Sequence, residues 1–268
     1  MLEQAEDFRA ESDALYQLVS DLPDSAFDEP TAFKDWTINR VLGHLHMWNW
    51  AADLSLTDAA GFQTFMQGVI SRRDAGGSVG DIEREWRDGI GGQALATAWR
   101  DYYQGMADRF ATADPSARVP WAGPSMSVRS SISARLMETW AHGQEVYDML
   151  GVVRQNGDRI KSIAVLGVNT HGWTYKVRGQ EAPSPAPHVR LTAPSGAVWT
   201  WNDPSETELI EGPAEDFCQV VTQVRNIADT RLKVTGPNAT DWMSIAQCFA
   251  GAPEQPPAPG SRRTMTRA

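Results

Sequence analysis

The chain has 268 residues, 41% of them apolar, and a formal net charge of −10 from 34 acidic and 24 basic side chains. An acidic surface of this kind repels polyanions, and no apolar run approaches the ~20 residues that span a bilayer, so nucleic-acid and membrane roles are excluded. The two cysteines, Cys218 and Cys248, have no CxxC spacing, which excludes a disulfide framework and a cysteine-rich zinc site; both are expected to be buried and structural.

The N-terminus, MLEQAEDFRAESD, lacks the pattern of a secretory signal, so a cytoplasmic protein is expected. Residues 4–22 place Phe8, Ala10, Leu15, Leu18 and Val19 at helical spacing. Pro23 and Pro30 then break the pattern. Asp35 is the expected N-cap of a second helix over 36–56, with Leu42, Leu45, Trp48 and Ala52 in one stripe. A third helical stretch covers 58–72 and is interrupted at Gly76 and Gly77. More helix is expected over 80–111, weakened by GIGG at 89–92. After a loop over 113–127, VRSSISARLMETWAHGQEVYDMLG forms the fourth main helix and stops at Gly151, a natural C′ residue. Four main helices joined by loops predict an up-and-down bundle.

Beyond about residue 155 the pattern changes. GWTYKVRG, HVRLTAP and AVWTWND are short, aromatic and β-branched, and they predict strands. Ser195-Gly196 marks a hairpin. AEDFCQVVTQVRNI predicts a helix, RLKVTG a strand and ATDWMSIAQCFAG a last helix. The expected organisation is a helical bundle over 1–154, a small α+β domain over 155–252 and a Pro-rich flexible tail over 253–268.

Chemistry is expected from five histidines: His44, His46, His142, His171 and His188. His44 lies on the apolar side of its helix with Val41 and Trp48. His46 is turned away from it by about 200°. Glu138 and His142 are four residues apart and so share one helix face. Such a pair can be a surface hydrogen bond or two metal ligands. With His44 the set is His, Glu and His, and three protein ligands with a fourth position open is the pattern of a catalytic metal. Imidazoles and one carboxylate suit Zn²⁺, and also accept Fe²⁺ or Ni²⁺. Glu145, one turn beyond His142, is a candidate to orient an imidazole or to stand at a helix end in solvent. His171 is expected in a capping or core role and His188 at the surface. A few of the eleven tryptophans are expected to line a pocket.

WTINRVLGHLHMWNW and RLMETWAHGQEVYDMLG resemble the DinB-like metal-binding bundles, and more closely the branch containing mycothiol-dependent maleylpyruvate isomerase. That branch shares the opening W-T-x-x-x-V-x-G-H-L and an E-x-x-x-H on the fourth helix. The resemblance implies an N-terminal DinB-like four-helix bundle followed by a small α+β C-terminal domain. It implies zinc, or another divalent transition metal, on His44, Glu138 and His142. EGPAEDFCQVVTQVRNIADTRLKVTGP resembles the branch's C-terminal domain, where an arginine helps bind the substrate's carboxylates. Arg225 stands at a comparable place, with Arg178 as the alternative.

The expected activity is isomerisation or thiol transfer on a small electrophilic, carboxylate-bearing substrate. It would use a low-molecular-weight, mycothiol-like thiol as co-substrate and occur in a cleft between the domains, in a monomer or homodimer. Two alternatives stand beside it. One is a metal-dependent hydrolase with a carboxylate such as Glu145 as base. The other is a non-catalytic metal-containing ligand-binding module.

Overall fold

The computed structural model describes residues 1–265. The chain divides into two compact units, Met1–Met149 and the part from Leu150 onward. The boundary thus falls slightly earlier than the predicted 154/155.

In the first unit, α1 (Glu3–Val19) and α2 (Ile38–Thr57) are followed by α3 (Ala59–Asp74), α4 (Val79–Trp86), α5 (Gly92–Thr112) and α6 (Val128–Leu150). The long helices α1 and α2 pack on α5, while α3 and α4 pack on α2. Phe8, Leu15, Leu42, Trp99, Phe110 and Trp140 are fully buried between them. Each such side chain contributes about 1.5–3 kcal/mol by leaving water.

The N-cap of α2 is Thr37 rather than Asp35. The Thr37 hydroxyl accepts from the Arg40 backbone N–H at 3.2 Å, whereas Asp35 sits at φ 57° in the preceding turn. The correction matters because it leaves Trp36 outside the helix. The expected 80–111 helix is two: α4 ends at Trp86, and α5 starts after Gly89 and Gly91. Within the predicted loop, β1 (Arg118–Val119) and β2 (Met126–Ser127) form a small antiparallel ribbon.

The second unit contains α7 (Lys161–Asn169), α8 (His171–Lys176), β3 (His188–Thr192), β4 (Val198–Trp201), β5 (Leu209–Pro213), α9 (Ala214–Val221), β6 (Lys233–Thr235) and α10 (Pro237–Ile245). Its four-stranded sheet has the order β4-β3-β5-β6. β3 and β4 form the predicted hairpin, with Gly196 at φ 87° in its turn. β5 runs parallel to β3 and β6 antiparallel to β5. The predicted strand GWTYKVRG is instead α8 and a turn. Six residues are too few to show a period, and tertiary bonds fix the helix: Trp173 Nε1 donates to the Phe249 carbonyl at 3.1 Å and Tyr175 to Asp241 at 2.8 Å. Helix α9 is shorter than predicted because Gln223 turns left-handed at φ 56°.

The described part of the Pro-rich tail has no helix or strand, yet it is tied down. Gln223 donates to the Glu254 carbonyl at 3.1 Å, Asn226 to the Pro257 carbonyl at 2.8 Å, and the Gly260 N–H to Asp229 at 2.9 Å. Proline removes donors from such a segment but leaves its carbonyls as acceptors. Residues 266–268 of the predicted tail lie outside the described residues. Among the described residues no helix is long and apolar enough to cross a membrane.

Gly236 joins β6 to α10 at φ 94°, and a Cβ there would collide with the Thr207 carbonyl and the Glu208 carboxylate. Gly236→Ala is therefore expected to cost about 2–3 kcal/mol, read as a lower urea midpoint for the second unit. An unchanged midpoint would refute that account of the turn.

Candidate metal centre

Helices α2 and α6 bring His44, Glu138 and His142 together. Their ligand atoms lie within 4.8 Å of one another, and among the described residues no other His, Cys, Asp or Glu cluster could hold a metal ion. One oxygen, Glu138 Oε2, lies 3.2 Å from His44 Nε2 and 3.4 Å from His142 Nε2. Tetrahedral bonds of about 2.0–2.1 Å put neighbouring ligand atoms roughly 3.3 Å apart. Both Glu138–imidazole separations match that spacing, so the three side chains are placed to converge on one divalent transition metal. They remain 15%, 21% and 15% exposed, so the site can be reached from solvent.

The other nitrogen of His44 is occupied. His44 Nδ1 is 2.7 Å from Glu83 Oε1, and the same oxygen accepts from Trp48 Nε1 at 2.9 Å. Glu83 belongs to α4 and is 4% exposed. A carboxylate on Nδ1 fixes the tautomer and aims Nε2 at the metal position. Sequence reasoning proposed Glu145 for such a role and missed Glu83. The signal was present: Val79, Ile82, Glu83 and Trp86 share one stripe of a helix, and an acid among apolar positions needs a buried partner. Glu145 is itself buried, at 2% exposure.

Aromatic rings hold the imidazoles. Trp36 stacks on His142 at 5.1 Å and 7°, and Phe33 meets its edge at 5.3 Å. Trp36 can lie flat on His142 because it precedes the helix. Arg135, one turn before Glu138, is 3% exposed and donates from Nε to Asn49 Oδ1 at 3.0 Å.

The charges are strongly coupled. Burial alone would lower the His44 pKa, but hydrogen bonds to Glu138 and Glu83 outweigh it and carry it up to about 9. Burial likewise opposes charge on Glu138, yet its bonds to His142 and His44 hold it well below the ordinary carboxylate value. His142 is lowered, because burial and the nearby His44 charge exceed the help from Glu138. Burial opposes charge on Glu83 too, yet its bond to His44 holds it below the ordinary value, so both carboxylates stay ionised and metal binding would release the His44 proton.

Of the remaining predicted residues, His46 faces away from the triad and meets Trp86 and Tyr102 edge-on at 5.1 and 5.5 Å. Burial pushes its pKa down to about 4. A native state that binds no proton there, against an unfolded chain that does, loses stability as pH falls from 6.5 to 4. The loss is at most about 3 kcal/mol. His46→Gln is expected to flatten that slope in urea titrations at pH 7.5 and 5; an identical slope would refute it.

In the second unit, half-buried His171 packs edge-on against Tyr175 and Trp242. His188, predicted at the surface, is 6% exposed and bonds through Nδ1 to the Trp201 carbonyl at 3.0 Å, because it begins the inner strand β3. Arg225 is buried in the turn after α9 and donates to the Val224 carbonyl at 3.2 Å. Arg178 bonds to the carbonyls of Thr174 and Glu254. Cys218 is buried in α9, and Cys248 is buried beyond the end of α10.

Residues 8–147 match the model of the mycothiol maleylpyruvate isomerase N-terminal domain. The chain belongs to this family. Two uncharacterised proteins from two strains of Mycobacterium tuberculosis are 38% identical to it over 247 residues, which is 92% of this chain and 95% of theirs. Among solved structures, a mycothiol-dependent maleylpyruvate isomerase aligns with a TM-score of 0.54 at 14% identity, over 81% of this chain and 87% of that one. A histidine-to-alanine variant of that isomerase aligns with a TM-score of 0.52 at the same identity and coverage. At 14% identity the likeness shows a shared fold for this family member, mainly helical first and then a mixed sheet with helices.

Proposed function

We propose that this family member is a metal-dependent enzyme that uses a low-molecular-weight thiol to isomerise, or transfer the thiol to, a small electrophilic substrate bearing a carboxylate. The observation that carries the reading is the convergence of His44, Glu138 and His142 from two helices, with Glu83 behind His44. The mycothiol-dependent isomerase that shares the fold adds support for the thiol.

A divalent metal held by His44, Glu138 and His142 would supply Lewis acidity that lowers the pKa of a thiol. The chain's own residues do the rest. Glu83 and Trp48 fix the His44 ring, Trp36 and Phe33 fix the His142 ring, and Glu138 supplies the anionic ligand. In the proposed reaction the thiolate adds to an activated double bond, the new single bond rotates, and elimination of the same thiolate restores the double bond in the other geometry. We assign carboxylate binding to Arg225, whose planar guanidinium suits a carboxylate through two parallel bonds.

Cobalt-loaded protein tests the reading. Addition of a small thiol is expected to produce a thiolate-to-cobalt charge-transfer band, absent with the matching alcohol. A spectrum indifferent to thiols would sink the thiol-dependent reading and favour a non-catalytic metal site with no open position.

A further inference from the structure

Between the N-terminal end of α2 and the length of α4 lies a cleft of about 270 Å³. Its walls carry Arg40, Arg84 and Arg87, and also Asp28, Asp81 and Glu83. Each acid has at least one partner within the protein. Asp81 accepts from the Ser78 hydroxyl at 2.7 Å and from Arg84 at 2.5 Å. Asp28 accepts from Asn39 at 2.8 Å. Glu83 accepts from Trp48 and bonds to His44.

Two of the arginines are not engaged in this way. Arg40 lays its guanidinium on Trp36, 4.3 Å from the ring centre, and among the described residues it has no carboxylate within salt-bridge distance. Arg87 donates Nη1 to the Asn39 carbonyl at 3.0 Å and keeps a buried Nε without a partner among the described residues. The unspent donors of the cleft are therefore those of Arg40 and Arg87.

The glycines beside these arginines point the same way. A Cβ on Gly80 would lie 2.9 Å from Arg40 Nη2, and one on Gly43 would lie 3.3 Å from Arg87 Cδ. Without a Cβ on either glycine, Arg40 lies close over the first turn of α4 and Arg87 close over α2.

We propose that this cleft binds an oxyanion, a carboxylate or phosphate group on a small molecule, through Arg40 and Arg87. Arg40 presents the edge of a guanidinium whose face is fixed on Trp36, and Arg87 adds a second cation to the same wall. Glu83 borders the cleft while its carboxylate is turned to His44, so the anion would sit on the far side of Glu83 from the metal ligands. The assignment does not depend on the metal or on the thiol chemistry.

Calorimetric titration of the full chain with inorganic phosphate and with malonate, at constant ionic strength and with chloride as control, tests it. At least one of the two is expected to bind above chloride, with and without metal, and the preferred one tells phosphate from carboxylate. Arg40→Gln and Arg87→Gln are each expected to weaken it about tenfold, the worth of one charged hydrogen bond. Gly80→Ala favours the helix, so it keeps the fold, and by displacing Arg40 it is expected to weaken binding as well. Neither anion binding above chloride, or equal affinity in wild type, Arg40→Gln and Gly80→Ala, would overturn the assignment.

Discussion

Wild-type protein loaded with zinc or cobalt is expected to retain about one ion per chain after gel filtration, and Glu138→Ala and His142→Ala to lose it. Each substitution removes one of three ligands, whose atoms lie within 4.8 Å of one another. Small zinc sites bind with roughly 10 kcal/mol or more, so one lost ligand is worth about 3 kcal/mol, over a hundredfold in affinity. Metal analysis by mass spectrometry reads the loss, and far-ultraviolet circular dichroism confirms that α6 persists. The side chains are 15–21% exposed at the surface of the bundle, so their removal leaves the apolar core intact. Folded wild-type protein that takes up no metal would remove the catalytic reading altogether.

Glu83→Ala is expected to weaken metal binding by about 10- to 100-fold although Glu83 is not itself a ligand. The variant leaves His44 Nδ1 and Trp48 Nε1 without their shared acceptor, which also costs about 1–3 kcal/mol of stability. Glu83→Gln keeps an oxygen that accepts from both, so it is expected to restore much of the stability and only part of the affinity. A competition titration against a chelator measures the affinity, and the cobalt absorption bands report the altered ligand field at His44. Equal affinity in all three proteins would show that the outer carboxylate does not tune the site.

The bundle was legible because its helices are long and its pattern regular. The stripe Leu42, Leu45, Trp48 and the i,i+4 pair Glu138/His142 survive any small error in helix boundaries. Glu83 was harder, because it comes from the eight-residue helix α4 inside a stretch expected as one weakened helix. The second unit was less legible for a related reason. α8 has six residues, and its Trp and Tyr fit a strand as readily as a helix until their bonds to Phe249 and Asp241 decide. β5 ends in Gly212-Pro213, which reads as punctuation, yet it pairs with β3 along its length. The cleft beside α4 joins residues from 28 to 87 and follows from no single segment.

The shortness of α4 has a kinetic consequence. A helix of eight residues does not hold itself together and depends on its anchors, here Ile82 against Met47 and Val69 with Trp86 beside them. Brief detachment of α4 would take Glu83 from His44 while leaving all three ligands on α2 and α6. The residence time of a bound ion would then follow the opening frequency of this helix as well as the strength of its bonds. Chelator-driven release should accelerate when Ile82 is shortened to alanine, in step with faster amide hydrogen exchange along residues 79–86.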